Sequence, residues 1–206
     1  MNRSRWIKIS AVVLVLMLIL VNAGKAQASF RFVVSTLRDE RNFLAMAMSI
    51  AEAARTTEAQ NSQSKAVQAF ERLKTMSGHW VAQMPAGKVE IDYELLAGGS
   101  VFVAQENVPH FPRMMTVYHL DGDRLVLTHY CGAGNQPHMQ AEPFDPKSKE
   151  LRFAFVNATN LVHPGAGHMH SAVFRFIGPD DVTEEWTWYQ NGKIAFHEPL
   201  RFHRMK

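Results

Sequence analysis

From Gly78 to the C-terminus, apolar and polar residues alternate with a period of two. The alternation is regular over residues 88–95, where four apolar side chains interleave with four charged ones. Successive side chains of an extended strand point to opposite faces of the sheet, so this pattern predicts strands with one buried face and one solvated face. The fold class that follows from this pattern is mainly β.

Turn signals rich in glycine, proline, asparagine and aspartate interrupt the alternation at short intervals. They divide the chain into about ten predicted strands, over residues 79–84, 88–97, 100–106, 113–120, 124–131, 137–143, 150–157, 168–177, 182–190 and 193–204. Short loops between successive strands favour an up-and-down antiparallel meander, and a long meander loses its exposed edges when it closes. We therefore predict an up-and-down antiparallel β-barrel, with a two-sheet sandwich as the main alternative.

A Gly-x-Trp sequence opens the first predicted strand, at Gly78 and Trp80. Lipocalin-like barrels seal one end with this motif and a late arginine over the indole, and Arg201 and Arg204 are both available for that role. Further stretches with the sequence pattern of such barrels are residues 116–125, 128–131, 134–137, 167–170 and 184–188. On these residues the chain from Leu73 onwards resembles a group of uncharacterised bacterial exported proteins with a lipocalin-like, calycin-type barrel. The resemblance implies the fold and export, and it implies no activity.

The segment before the barrel, residues 29–76, has helical periodicity. One apolar stripe extends from residue 37 to residue 51, and a second lies over residues 67–73. Residues 56–64 between them are polar, which indicates a linker or a frayed helix end. We therefore predict one or two N-terminal helices with a linker, followed by a lipocalin-like barrel over residues 77–206.

Residues 1–28 have the pattern of a secretory signal peptide. Arg3, Arg5 and Lys8 precede an apolar run over residues 9–21, and small residues follow at 26–28. We expect cleavage after residue 28 and a periplasmic or secreted bacterial protein, with an uncleaved anchor as the alternative. Cleavage would remove four cations and no acid, which lowers the formal net charge from +3 to −1. The remainder lacks the basic stripe that nucleic acids require, so we expect no nucleic-acid partner. We also expect no stable membrane span after signal cleavage.

Seven of the ten histidines fall within residues 110–170. In a meander, the end of the fifth strand and the start of the eighth reach the same rim. The two-residue period then predicts that His129, Cys131, His168 and His170 all point inward at that rim. The same pocket is predicted to include Asn135, Gln136, Asn160, Trp186 and Trp188.

Several functions are compatible with this predicted pocket. The favoured one is binding of a small apolar or amphipathic molecule inside the barrel, with neutral histidines and amides at its polar end. The second is a metal or haem site that uses His129, Cys131, His168 and His170. An enzyme with Cys131 as nucleophile and a histidine as base is a third hypothesis, and a structural histidine network is a fourth. The sequence names neither the ligand nor a cofactor.

Overall fold

A computed structural model of the protein describes residues 40–206, without the side chains of residues 40–43 and 62–64. The predicted signal peptide and the start of the predicted extension lie outside these residues. The chain divides into two compact units after Arg55. Within residues 40–206, one helix, α1 (Glu40–Lys74), precedes the strands. It continues through residues 56–64, so the predicted linker is wrong. No helix in the described part of the chain is long and apolar enough to cross a membrane.

Ten antiparallel strands form a closed barrel in which each strand pairs with its neighbours in sequence and β10 pairs with β1. The strands are β1 (Gly78–Met84), β2 (Gly87–Leu96), β3 (Val101–Asn107), β4 (Met114–Asp121), β5 (Arg124–Tyr130), β6 (Gln136–Ala141), β7 (Glu150–Thr159), β8 (His168–Gly178), β9 (Asp181–Gln190) and β10 (Lys193–Arg204). The predicted up-and-down barrel is confirmed, because the closure leaves neither terminal strand without a partner.

The last turns of α1 cover one end of the barrel, here called the closed end. Ala66, Ala69, Phe70 and Leu73 recur at intervals of three and four residues, which places them on one helix face, and all four are buried in the barrel core. Val67, which the sequence placed in the same stripe, is 38% exposed. The helix end is therefore held by apolar packing.

Trp80 and Arg204 complete the closed end. The indole is 1% exposed and its Nε1–H donates to the Met76 carbonyl oxygen at 2.6 Å. The Arg204 guanidinium lies over the indole, 4.4 Å from the ring centroid. The same guanidinium donates to the backbone carbonyl oxygens of Thr75 and Ser77. Arg204 therefore ties α1 to the last strand, whereas Arg201 pairs with Asp181 at the surface.

Aromatic rings fill the half of the barrel next to the closed end. Tyr93 stacks on Phe102 with centroids 5.4 Å apart, and Tyr118 packs against Phe153 and Phe174 at 5.7 and 6.2 Å. All five rings are buried. A cavity lies toward the opposite end of the barrel.

Candidate ligand-binding cavity

A cavity of about 320 Å³ occupies the end of the barrel opposite α1, here called the open rim. The loop between β3 and β4 and the loop between β5 and β6 contribute to its mouth, as expected for connections that alternate between the two ends of a meander. Its wall is formed by Met84, Val89, Ile91, Glu106, Val108, Phe111, Met114, His129, Cys131, Gly132, Ala133, Met169, Glu184, Trp186, Trp188, Phe196, Glu198, Leu200 and Phe202. This volume is at the lower end of the range for small-molecule pockets.

A chain of three side chains joins β3, β4 and β5 at the cavity wall. The Thr116 hydroxyl donates to Glu106 Oε1 at 2.6 Å and lies 2.8 Å from His129 Nδ1. Because a hydroxyl has a single proton, the Thr116 oxygen accepts from Nδ1–H of His129. His129 Nε2 is then a lone-pair acceptor. It is buried and has no hydrogen-bond partner among the described residues.

A second carboxyl group, Glu184 on β9, lies in the same wall. It is 4% exposed and accepts hydrogen bonds from the Tyr93 hydroxyl and from Trp186 Nε1–H, the latter at 3.4 Å. Its sequence neighbour Glu185 faces outward and pairs with Arg175 at 2.7 Å. Adjacent acids on one strand therefore occupy opposite environments, as the alternation of a strand requires.

Burial shifts the pKa values of Glu106, Glu184 and His129 in the direction that favours the neutral form of each side chain. Loss of solvent raises the pKa of Glu106 to about 7, opposed by the Thr116 hydrogen bond. Desolvation also raises the pKa of Glu184 to about 7, and the charge of Glu106 adds to that shift. Desolvation lowers the pKa of His129 to about 4. The imidazole is therefore neutral at physiological pH, whereas the two carboxyl groups have pKa values close to physiological pH.

The structure separates the four residues that were predicted to meet. His129 and Cys131 line the cavity, but His168 and His170 do not. A β-bulge in β8, between Met169 and Ser171, inserts one extra residue into the pairing with β9. Met169 therefore points into the cavity and His168 to the other face. The prediction that all four line one pocket is wrong.

His168 and His170 instead join an aromatic cluster on the outer face of the barrel. The His170 ring lies between Phe155 and Tyr189, with centroids 4.6 and 4.4 Å away. His168 Nδ1–H donates to the Ala166 carbonyl oxygen at 2.9 Å, so its Nε2 accepts from His170 Nδ1–H at 3.2 Å. These two histidines bond to each other and to the loop, as the hypothesis of a structural network expects.

The predicted amides also lie outside the cavity wall. Asn135 is buried and donates to the Gly167 carbonyl oxygen at 2.9 Å, which joins two rim loops. Gln136 accepts from the Thr159 hydroxyl at 2.9 Å, and Asn160 donates to the Gly134 carbonyl oxygen at 2.6 Å. All three shape the open rim and do not face the enclosed space. Trp186 and Trp188, in contrast, line the cavity as predicted.

Two chemical alternatives lose support from this geometry. Within residues 40–206, no group of three or more histidine, cysteine, aspartate or glutamate side chains is arranged to hold a metal ion. Burial raises the pKa of the Cys131 thiol, which is the reverse of what an activated nucleophile needs. The metal site built from His129, Cys131, His168 and His170 is therefore not formed.

Glu106, Thr116 and Tyr93 were not among the residues predicted from the sequence to form the pocket. A signal for Glu106 was present, since Phe102, Ala104 and Glu106 share the inward face of β3 by the two-residue period. A glutamate that continues an apolar face at a strand end is easily taken for the beginning of a solvated loop. The strand extends to Asn107, which keeps Glu106 inside.

Comparisons with known proteins add little to this picture. Neither a family model nor a curated protein matches the chain. A solved structure that is similar is Rv2717c from M. tuberculosis, with a TM-score of 0.46 and 14% sequence identity. The match covers 67% of this chain and 98% of that one. Because the similarity is this low, no function is transferred from it, and membership of a lipocalin-like family stays a prediction.

Gly167 lies directly against the indole ring of Trp188, which lines the cavity. A Cβ atom at this position would overlap the indole ring. We expect Gly167→Ala to destabilise the protein by about 1–3 kcal/mol, as overpacking does, and to shift the tryptophan emission because Trp188 must move. Urea unfolding followed by fluorescence measures both effects.

Gly178→Ala is the matched control, since a Cβ atom there meets nothing nearer than Asp181 Cβ at 4.0 Å. Equal stability losses in the two variants would contradict the contact between Gly167 and Trp188.

Proposed function

We propose that the protein is an exported binding protein for one small apolar or amphipathic molecule, which occupies the cavity at the open rim. The observation that carries the proposal is the cavity itself. The barrel is filled with aromatic rings near the closed end and is unfilled near the other. Native interiors are packed with few voids larger than a water molecule, so an apolar space of this size favours a ligand.

The chemistry of the wall indicates an amphipathic ligand. Most lining side chains are aliphatic or aromatic, whereas Glu106, His129 and Glu184 supply polar atoms in its buried part. A few polar groups in an otherwise apolar pocket orient a ligand by its own polar end. His129 Nε2, buried and without a partner among the described residues, is one atom that such an end would satisfy.

Binding of butylbenzene to the full-length protein tests the proposal with a neutral apolar probe. We expect one molecule to bind per chain in isothermal titration calorimetry. Ala133→Trp, which adds bulk at the exposed part of the wall, should weaken binding at least about tenfold, a loss of about 1.4 kcal/mol. Ala154→Trp, on the exposed outer face of β7, is the control and should bind as the parent does.

Two results would contradict the proposal. One is that the folded protein binds neither butylbenzene nor an amphipathic probe with the same phenyl ring. The other is equal binding by Ala133→Trp and the parent protein, because the probe would then occupy a different place.

Haem binding is the second candidate, since one observation favours it. A neutral imidazole with a bonded Nδ1–H and an unpartnered Nε2, as in His129, is the form that coordinates haem iron. Addition of hemin would then produce an absorption band that His129→Ala abolishes. His170→Ala, at the outer cluster, would leave that band unchanged. Without such a band, haem is excluded and the small-molecule proposal is unaffected.

Export rests on the composition of residues 1–28. We expect periplasmic recovery of a chain that begins at Ser29, which N-terminal sequencing of the fractionated protein checks.

A further inference from the structure

We infer that the ligand is a small organic amine, bound as its ammonium cation by Glu106, Glu184 and His129 at the inner end of the cavity. The inference rests on the proposed function and names the ligand class for the same site. Three independent features of the wall carry it: the sign of its charged residues, the direction of its hydrogen bonds and its aromatic content.

The charged residues of the wall are all acidic. Glu106 and Glu184 are buried and Glu198 is exposed, and among the described lining residues there is neither a lysine nor an arginine. Glu150 and Glu185, on the outer face of the barrel, pair with Arg175 at 2.9 and 2.7 Å. Buried carboxylates require a cationic or hydrogen-bonding partner. Glu106 and Glu184 have only neutral hydrogen-bond donors among the described residues. A cation brought by the ligand would supply the missing charge.

The buried polar atoms of the wall are also mainly acceptors. The Thr116 hydroxyl proton is used on Glu106, and the Tyr93 hydroxyl and Trp186 Nε1–H are used on Glu184. The polar atoms that stay available to a ligand are carboxylate oxygens and His129 Nε2 with its lone pair, and all of these are acceptors. An ammonium group has donors and no acceptor, so it matches this set. A carboxylate or phosphate ligand has acceptors alone and would be repelled.

Aromatic rings line the same cavity as the carboxyl groups. Trp186, Trp188, Phe111 and Phe196 line the cavity, and Trp188 stacks on Phe196 with centroids 6.1 Å apart. Cations bind favourably over such rings, most strongly over tryptophan and where water is excluded. The same rings accommodate the apolar body of the ligand. Carboxylates together with aromatic rings are thus suited to an amine that carries a hydrophobic group.

Three probes that share one ring separate charge from shape: 2-phenylethylamine, 2-phenylethanol and phenylacetate. At pH 7.5, calorimetry on the full-length protein should rank them amine, alcohol, acid. The amine should bind about ten- to a hundredfold more tightly than the alcohol, the size of a charge-assisted hydrogen bond. Equal or tighter binding of the alcohol or the acid would overturn the inference.

Variants locate the effect. Glu184→Gln and Glu106→Gln keep the side-chain shape and should each reduce amine binding at least about tenfold, while binding of the alcohol changes little. Glu185→Gln is the matched control, since it removes a neighbouring acid that faces outward and should leave amine binding unchanged. An amine preference that survives both cavity variants, or that is lost in Glu185→Gln, would contradict the assigned site.

The failure of this inference is distinguishable from that of the proposed function. If 2-phenylethanol and butylbenzene bind while the amine has no advantage, the cavity binds ligands and the amine assignment is wrong. If none of the four compounds binds to the folded protein, the proposed function is wrong as well.

Discussion

Trp80→Ala is expected to lower the free energy of unfolding by about 3–5 kcal/mol, the usual cost of removing a large aromatic side chain from a core. Trp80 is 1% exposed, donates to the Met76 carbonyl oxygen and supports the Arg204 guanidinium. Without the indole, the carbonyl oxygen loses a partner and the cation loses the ring beneath it. The contact between α1 and the last strand weakens at the same time.

Urea unfolding measures this loss, and Trp188→Ala provides the comparison. Trp188 is partly exposed and lines the cavity, so its removal enlarges an existing space and should cost less. A loss in Trp188→Ala equal to or larger than that in Trp80→Ala would show that the closed end does not dominate stability.

The barrel could be predicted because its determinants are local. A two-residue period with turn signals at short intervals fixes both the strands and their antiparallel order, and the strand bounds agree with the structure to within about two residues. The prediction of an arginine over Trp80 was also confirmed, with Arg204 in that place. Sequence alone could not choose between Arg201 and Arg204, because the choice depends on the register of β10 against β1.

The site could be predicted in part. His129 and Cys131 were placed correctly since β5 is regular, and the same rule failed at His168 and His170. One bulged residue reverses the facing of everything before it in the strand, and the two-residue period contains no sign of such an insertion. Helix α1 was misjudged for a different reason. Polar residues over 56–64 suggested a break, yet glutamine, alanine and glutamate are adequate helix formers.

The buried acids connect the site to stability. In the free protein, Glu106 and Glu184 lie in an apolar wall with neutral partners, and their charged forms are disfavoured there. Ionisation of these two side chains therefore lowers the stability of the free protein, and a bound cation would restore that stability. Functional sites often combine burial with shifted proton affinities in this way, and a stability measurement can detect the combination without a ligand.

Glu184→Gln is expected to gain stability relative to the parent protein as the pH rises from 5 to 8. The folded state raises the pKa of Glu184 from 4.5 to about 7, so the native protein holds this proton more tightly than the unfolded chain. The contribution of Glu184 to the stability of the parent protein therefore falls as the pH rises between those values and is nearly constant above them. The full effect would be about 3 kcal/mol, at 1.36 kcal/mol per pKa unit, and the glutamine variant lacks it.

Urea titrations of both proteins at pH 5 and pH 8 give the difference directly. Taking the difference cancels the contribution of His129, which has a lowered pKa and stabilises both proteins less as the pH decreases from 6.5 toward 4. The contribution of Glu106 does not cancel fully, because the negative charges of Glu106 and Glu184 repel each other and the glutamine variant lacks one of them. Glu185→Gln is the control, since Arg175 lowers the pKa of Glu185 and its difference from the parent should be flat between pH 5 and 8. A flat difference for Glu184→Gln as well would mean that Glu184 is ionised without cost in the barrel, and the shortage of positive charge on which the amine assignment depends would not exist.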